Sequence, residues 1–321
     1  MALPVAILIF LFIFLMLFGA NLVVVGLHHI VKKSAGKVFA LSAVILAVAT
    51  SFPEMSLAIT SGFSGKSALS LGNVMGANIA NLSLVVGGAA IVAGGVKFQG
   101  GFLKKELILG FFSGIFPVVL MYDGILSRLD GSILILSWIA YVVHFFKIRF
   151  IGIAEKILEE GSWHGLLHKI HVKTLVGKEW AKLLIGVIIL LLSAEIIVYL
   201  AGILSQDSKF EILMVGAIVV ALGTTLPELA FSIRSITDRE PTMFLGNILG
   251  SLIANSTLIV GIAAVISPIQ GETNKVFLLG GAFISTYVFF YLFIRTKFRL
   301  ERWEAGVLVV IYAIFVILVS R

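Results

Sequence analysis

The sequence predicts an all-α membrane protein: ten transmembrane helices arranged as two inverted five-helix repeats, with helices 2 and 7 broken at Pro53 and Pro227. Three observations carry this expectation. The chain is built from apolar runs of membrane-spanning length, its basic residues are unevenly placed between those runs, and one 45-residue segment occurs twice. Hydrophobic residues make up 60% of the 321 residues and charged residues 13%, with a mean hydropathy of +1.12. A soluble domain is nearer about 45–50% apolar and about 25% charged, so this chain has too little polar surface to be one.

The expected spans are 4–31, 38–61, 68–93, 104–122, 131–147, 183–204, 211–235, 242–267, 276–294 and 303–320. Most are close to the roughly 20 residues that a helix needs to cross a bilayer. None alternates between polar and apolar residues as a membrane barrel strand does. The opening "MALPVAILIF" has no basic stretch before its apolar core, which reads as a first membrane helix and not as a cleaved signal.

Ten spans put both termini on one side. If that side is outside, the inner connections hold 19 of the 24 Lys and Arg residues and the outer ones hold 5. The positive-inside rule then places both termini outside, in a multi-pass protein of the cell membrane, with the 148–182 connection cytoplasmic. The net charge of +7 is thereby a topology signal and not the footprint of a nucleic acid. The 148–182 connection separates a first repeat, 1–147, from a second, 183–321. It reads as an interfacial helix or linker. His164, His168 and His171 within it have helical spacing that would suit a metal, but without thiolate or carboxylate company they read as a solvated face. The absence of cysteine rules out disulfides and thiolate metal sites.

"ATSFPEMS" at 49–56 recurs as "GTTLPELA" at 223–230, and "LGNVMGANIAN" at 71–81 as "LGNILGSLIAN" at 245–255. From Leu46 to Ala90 against Val220 to Ala264, 18 of 45 positions are identical without a gap. Five spans per copy turn the second copy upside down in the membrane. Inverted repeats with broken helices are the architecture of secondary transporters, with the site near the midplane where the repeats meet.

The most similar segments are also the most polar. Glu54 and Glu228 lie deep in apolar runs at equivalent positions, and a charge there costs at least ~2.5–3.5 kcal/mol on insertion scales. Two facing carboxylates repel unless a cation or a proton sits between them. Pro53 cannot donate to the carbonyl of Ala49, nor Pro227 to that of Gly223, which leaves carbonyl oxygens free beside each carboxylate. Thr50 and Ser51 share a helix face with Glu54, as Thr224 and Thr225 do with Glu228. Carboxylate, carbonyl and hydroxyl oxygens are hard ligands that suit Ca²⁺, and Na⁺ as well. Zinc and copper would want nitrogen or sulfur. Downstream, Gly72, Gly76 and Ala80, repeated as Gly246, Gly250 and Ala254, form small-residue stripes that let helices approach closely. The neighbouring stripe holds Asn73, Ala77 and Asn81, matched by Asn247, Ser251 and Asn255; Asn81 and Asn255 are candidates to complete the site. Glu195, whose counterpart is Asn21, reads as a helix–helix contact or a protonated acid, with coupling or gating as the alternative.

These paired motifs resemble the α1 and α2 repeats of the cation/calcium exchanger superfamily, and look most like its prokaryotic sodium/calcium exchanger branch. The resemblance extends over the ten-span plan and is strongest over 46–90 and 220–264. It implies antiport of Ca²⁺ against Na⁺ by alternating access, with spans 1 and 6 sliding across the rest. Ca²⁺ would be held by Glu54, Glu228 and the carbonyls of Thr50 and Thr224. One Na⁺ site would use Ala221, Thr224, Thr225 and Ser251; another would use Ala47, Thr50, Ser51 and position 77. Asn81 and Asn255 would border the middle site. Ala77 stands where many relatives have serine, which removes one hydroxyl and leaves the coupling ion and stoichiometry open. Asn255 stands where potassium-dependent relatives have aspartate, which argues against K⁺ co-transport. Gly76 and Gly250 occupy the position that carries a glutamate in the proton/calcium branch, so H⁺ is the alternative coupling ion. With no nucleotide loop or catalytic triad, the chain does not read as an enzyme or an ATP-driven pump. Its expected partners are the lipid bilayer, Ca²⁺ and Na⁺, with no resident cofactor and no obligate protein partner.

Overall fold

Every apolar run whose structure is described is helical. The computed structural model describes residues 2–34, 51–97, 100–160, 177–207, 211–237, 241–297 and 299–320. In chain order the helices are α1 (Ala2–Ser34), α2 (Phe52–Phe63), α3 (Ser67–Ala80) with a π-helical turn (Asn81–Val85) leading into α4 (Val86–Ala93), α5 (Gly100–Leu120) and α6 (Arg128–Glu160). There follow α7 (Gly177–Asp207), α8 (Ile212–Val215), a π-helical turn (Gly216–Val220), α9 (Ala221–Thr224), α10 (Leu226–Thr237) and α11 (Pro241–Ala254). A third π-helical turn (Asn255–Ile259), α12 (Val260–Ile266), α13 (Thr273–Lys297) and α14 (Arg302–Val319) complete the set.

Among the described residues, seven segments are long and apolar enough to cross a membrane. Of the other expected spans, 38–61 begins outside the described residues, 104–122 contains a shorter apolar stretch at Glu106–Leu120, and 131–147 lies inside α6. The chain is a helical, multi-pass membrane protein. α6 runs on to Glu160 and α7 starts at Gly177, so helix extends into the expected 148–182 connection from both sides. His164, His168 and His171 fall outside the described residues.

The duplication is visible in the backbone. α2 and α10 have 12 residues each, α3 and α11 have 14, and a π-helical turn of 5 residues begins at Asn81 and again at Asn255. In each of these two turns a hydroxyl reaches back to a carbonyl four residues earlier: Ser83 Oγ donates to Ile79 O, and Thr257 Oγ1 to Ile253 O at 2.6 Å. Such back-bonding loosens a regular α ladder. Short strands β1 (Val96–Lys97), β2 (Ile125–Leu126), β3 (Ile269–Gln270) and β4 (Arg299–Leu300) pair across the two halves. β1 lies antiparallel to β4 with Val96 opposite Leu300, and β2 to β3 with Leu126 opposite Ile269. All four of those side chains are buried. Loop position alone gave no sign of these pairings.

The halves interlock. α2 packs on α12 of the second half, and α10 packs on α4 of the first. The larger apolar core runs through these elements and α3, α5, α11, α13 and α14. A second, separate core joins α1 to α7 and rests on Leu57, Leu69, Val215 and Val220. The two helices of that pair approach closely: a Cβ on Gly186 would lie 2.8 Å from the carbonyl oxygen of Gly19.

Candidate functional site: a buried two-glutamate centre

The two glutamates stand in the first turns of α2 and α10, directly after Pro53 and Pro227. Proline has no N–H to leave unsatisfied in a first turn, and the partial positive end of a helix suits a carboxylate. The residues that launch the two helices take matching conformations. Ser51 has φ −91°, ψ 10° and Thr225 has φ −85°, ψ −2°, in the bridge region between α and β. Met55 N donates to Ser51 O at 3.0 Å, and Leu229 N to Thr225 O at 3.1 Å. Residues 35–50, including the predicted site residues Ala47 and Thr50, lie outside the described residues.

Glu54 is 1% exposed and Glu228 is 0% exposed. Among the described residues, nothing donates a hydrogen bond to any of their four carboxylate oxygens. The Thr224 hydroxyl shares its proton between Asn73 Oδ1 at 3.2 Å and Ala221 O at 3.3 Å. The Thr225 hydroxyl donates to Leu222 O at 3.2 Å. Buried carboxylates without donors are costly. Four unfilled acceptor oxygens are what a dehydrated cation can use.

Close backbone packing sets the Asn73–Thr224 contact. A Cβ on Gly72 would sit 1.9 Å from Leu213 O, and one on Gly76 would sit 2.1 Å from Ala217 O. Gly216 returns the fit, with Leu69 O at 2.4 Å. Only glycine lets α3 lie this near α8 and its π-helical turn. Ser51, Ala221, Thr225, Ser251, Asn81 and Asn255 are all buried, and so is Ala77, which brings a methyl group where Ser251 brings a hydroxyl in the other half. Among the described residues, both amide atoms of Asn81 are without a hydrogen-bond partner, as is Oδ1 of Asn255.

Two further polar residues belong to this layer and were not singled out by the repeat. Asn78 Nδ2 donates to Ser256 Oγ at 2.7 Å, and Asn255 Nδ2 donates to Asn78 Oδ1 at 3.4 Å. Their counterparts are Leu252 and Leu82, so symmetry hides them. The signal available was an amide three residues before Asn81, on the same helix face of an apolar run. Glu195 does not join the site. It is exposed on the outer face of α7, level with Leu192 and Tyr199, and not held between helices.

At one end of the molecule a cavity of about 730 Å³ is lined by Lys66, Gln206, Glu211, Gln270 and Glu272. Lys275 bridges Glu211 at 2.7 Å and Glu272 at 2.9 Å. The hydrogen bond from Lys275 holds the Glu272 carboxyl below the usual carboxylate range. Lys66 Nζ donates to Val198 O of α7 at 3.3 Å.

The description of the sodium/calcium exchanger protein family matches the chain over residues 4–147 and over 178–321. The chain belongs to that family. Among curated relatives, the sodium/calcium exchanger MaX1 of Methanosarcina acetivorans is 27% identical over 334 residues, covering 93% of each chain. The inner membrane protein YrbG of Escherichia coli is 27% identical over 267 residues, covering 79% of this chain and 81% of its own. Among solved structures, the sodium-calcium exchanger NCX_Mj soaked with Na⁺ and Sr²⁺ superposes with a TM-score of 0.62 at 25% identity, over 97% of both chains. The protein is therefore a cation/calcium exchanger, and its buried two-glutamate centre lies in the most strongly duplicated part of the chain.

Proposed function

We propose that the protein is a secondary-active antiporter that exchanges Na⁺ for Ca²⁺ across the cell membrane by alternating access. In this reading ten helices form two inverted repeats, 1–147 and 183–321. α2 and α10 are the second halves of spans interrupted at Pro53 and Pro227. Both termini face outside and the 148–182 connection is cytoplasmic. The inverted arrangement is supported by the paired strands, since β1·β4 and β2·β3 each take one strand from each half at connections that ten spans would place on a common side.

The observation that carries the reading is the pair of buried carboxylates at matched positions, without hydrogen bonds among the described residues. Their combined charge of −2 is neutralised by one Ca²⁺ or by two Na⁺, which makes the two cargoes alternatives at one place. Ca²⁺ would take carboxylate oxygens of Glu54 and Glu228 and the carbonyls of Thr50 and Thr224. Na⁺ would use the smaller oxygen sets, Ala221, Thr225 and Ser251 on one side and Ala47 and Ser51 on the other, with Asn81 and Asn255 lining the middle. Desolvation favours whichever occupant brings the right charge and leaves the site neutral, because a net charge in a low-dielectric centre is expensive. Alternating occupancy would thus let the neutralised centre, and not the empty one, pass between the two openings.

The deciding experiment is Ca²⁺ flux in proteoliposomes with Na⁺, K⁺ and H⁺ gradients imposed separately. A Na⁺ gradient is expected to drive Ca²⁺ and a K⁺ gradient is not. Flux driven by a pH gradient alone would replace the sodium reading with H⁺/Ca²⁺ exchange. Flux that ignores every counter-ion would mark a channel instead.

A further inference from the structure

Lys66 joins two parts of the molecule that have separate cores. Its root is fixed in the turn between α2 and α3, the hairpin that carries Glu54 and Asn73. Gly65 takes the left-handed conformation there, at φ +65°. Lys66 N donates to Ser61 O at 2.8 Å at the end of α2, and Leu69 N donates to Lys66 O at 2.9 Å as α3 begins. Its tip lies on another body. Lys66 Nζ donates to Val198 O of α7 at 3.3 Å. An ammonium can only donate and a carbonyl can only accept, so this bond has one direction.

Gly202 makes the room. A Cβ there would lie 2.2 Å from Nζ of Lys66, 2.9 Å from its Cε and 3.7 Å from its Cδ. The end of the lysine therefore lies across a notch in α7 that only glycine leaves open. α7 shares its own apolar core with α1, and that core meets the hairpin at Leu57 and Leu69. Apolar contacts are non-directional and set no register along a helix. The Lys66 contact does set one. A chain with two cores can shift one body against the other without opening either, as packed helices do in shear motions.

We propose that Lys66 is a clasp between the site-bearing α2–α3 hairpin and the α1–α7 pair, and that the transport cycle must break its contact on α7. The inference rests on the reading of the protein as an alternating-access exchanger. Lys66, Gly202, Ser205 and Gln206 all line the cavity at this end of the molecule, so the released ammonium has space to turn into.

The clasp can be removed from either side. Lys66→Met takes away the donor. Gly202→Ala takes away the notch, and the methyl group meets only the end of a flexible side chain. Alanine also favours helix over glycine, so Gly202→Ala should not lower the melting temperature. Each variant should shift Ca²⁺ turnover in proteoliposomes by the same factor, roughly 3- to 10-fold, the scale of one charge-assisted hydrogen bond partly open to water. The double variant should match the single ones. Wild-type turnover in both single variants overturns the proposal, as does a double variant in which the two effects multiply. The opposite experiment makes the clasp permanent. The chain has no cysteine, so Lys66→Cys with Gly202→Cys introduces the only pair. Joining them with a short bis-methanethiosulfonate should arrest Ca²⁺ flux, and reduction should restore it. Linked protein that carries Ca²⁺ at the unlinked rate overturns the proposal, and so does failure of the two cysteines to link. If a Na⁺ gradient does not drive Ca²⁺ in wild-type vesicles, the exchange reading fails by itself. The cross-link then still decides, on whatever Ca²⁺ flux the vesicles carry, whether this contact has to break.

Discussion

The segments 51–93 and 225–266 share their helix lengths, their launching conformation at Ser51 and Thr225, and the site of their π-helical turns, yet their neighbours differ. In the first, Gly72 and Gly76 are pressed against the backbone of α8 and its π-helical turn. In the second, no atom among the described residues lies within 4 Å of a Cβ built on Gly246. The first copy contributes Asn78 and Ala77 where the second contributes Leu252 and Ser251. The same backbone therefore carries two chemically different half-sites. Duplication supplies the pair of carboxylates, and divergence between the copies sets different side chains around them.

The largest expected effect falls on what the copies share. Glu54→Gln and Glu228→Gln should each reduce Ca²⁺ exchange by roughly two to four orders of magnitude, as expected from the ~3–5 kcal/mol lost when one member of a buried charge arrangement is removed. Flux assays on both variants check this, and unequal losses would show that the halves do not share the cation evenly.

Next comes the packing contrast. Gly76→Ala would drive a methyl group to 2.1 Å from Ala217 O, so it should lower the melting temperature of the purified protein, at a cost of about 1–3 kcal/mol or more. Gly246→Ala should melt like wild type. Equal behaviour of the two would erase the packing difference between the copies.

The hydroxyl contrast should matter less for stability and more for sodium. Ser251→Ala is expected to raise the Na⁺ concentration needed for half-maximal exchange a few-fold, roughly the value of one polar contact. Ala77→Ser should lower it by a similar factor, and an unchanged Na⁺ response in Ala77→Ser would remove position 77 from the sodium path.

The smallest effect belongs to the exposed cluster at the cavity rim. The hydrogen bond from Lys275 lowers the Glu272 carboxyl, so the stabilisation it gives is present at neutral pH and fades as pH falls through the carboxylate range. Exposed pairs contribute little. Lys275→Met should leave exchange unchanged and slightly flatten the dependence of melting temperature on pH between 7 and 4, measured by thermal unfolding in detergent.

Much of the site was legible because it is written twice. A glutamate in an apolar run is ambiguous once. Glu54 and Glu228, each behind a proline at the same offset, point to a shared place. The small-residue stripe was legible as a packing surface, and Gly72 and Gly76 serve as one. What symmetry could not expose is what breaks it. Asn78 and Ser256 align with leucines, so the repeat passes over them. Glu195 stood out as a buried acid by its place in an apolar run, but on α7 its direction is decided by which face meets α1, and that face is not its own.

By itself the sequence determined that the chain is a helical membrane protein, that it is built from a duplicated unit, and that two glutamates stand at matched positions within apolar runs. These follow from length, hydropathy and repetition, which are local or periodic properties of the chain. Only the tertiary structure decided that the halves interlock through β1·β4 and β2·β3, that α1 and α7 form a core of their own, and that Asn78 is hydrogen-bonded to Asn255. Those are contacts between residues far apart in sequence, in the last case separated by 177 positions. Their energy depends on direction and distance, and no pattern along the chain encodes either.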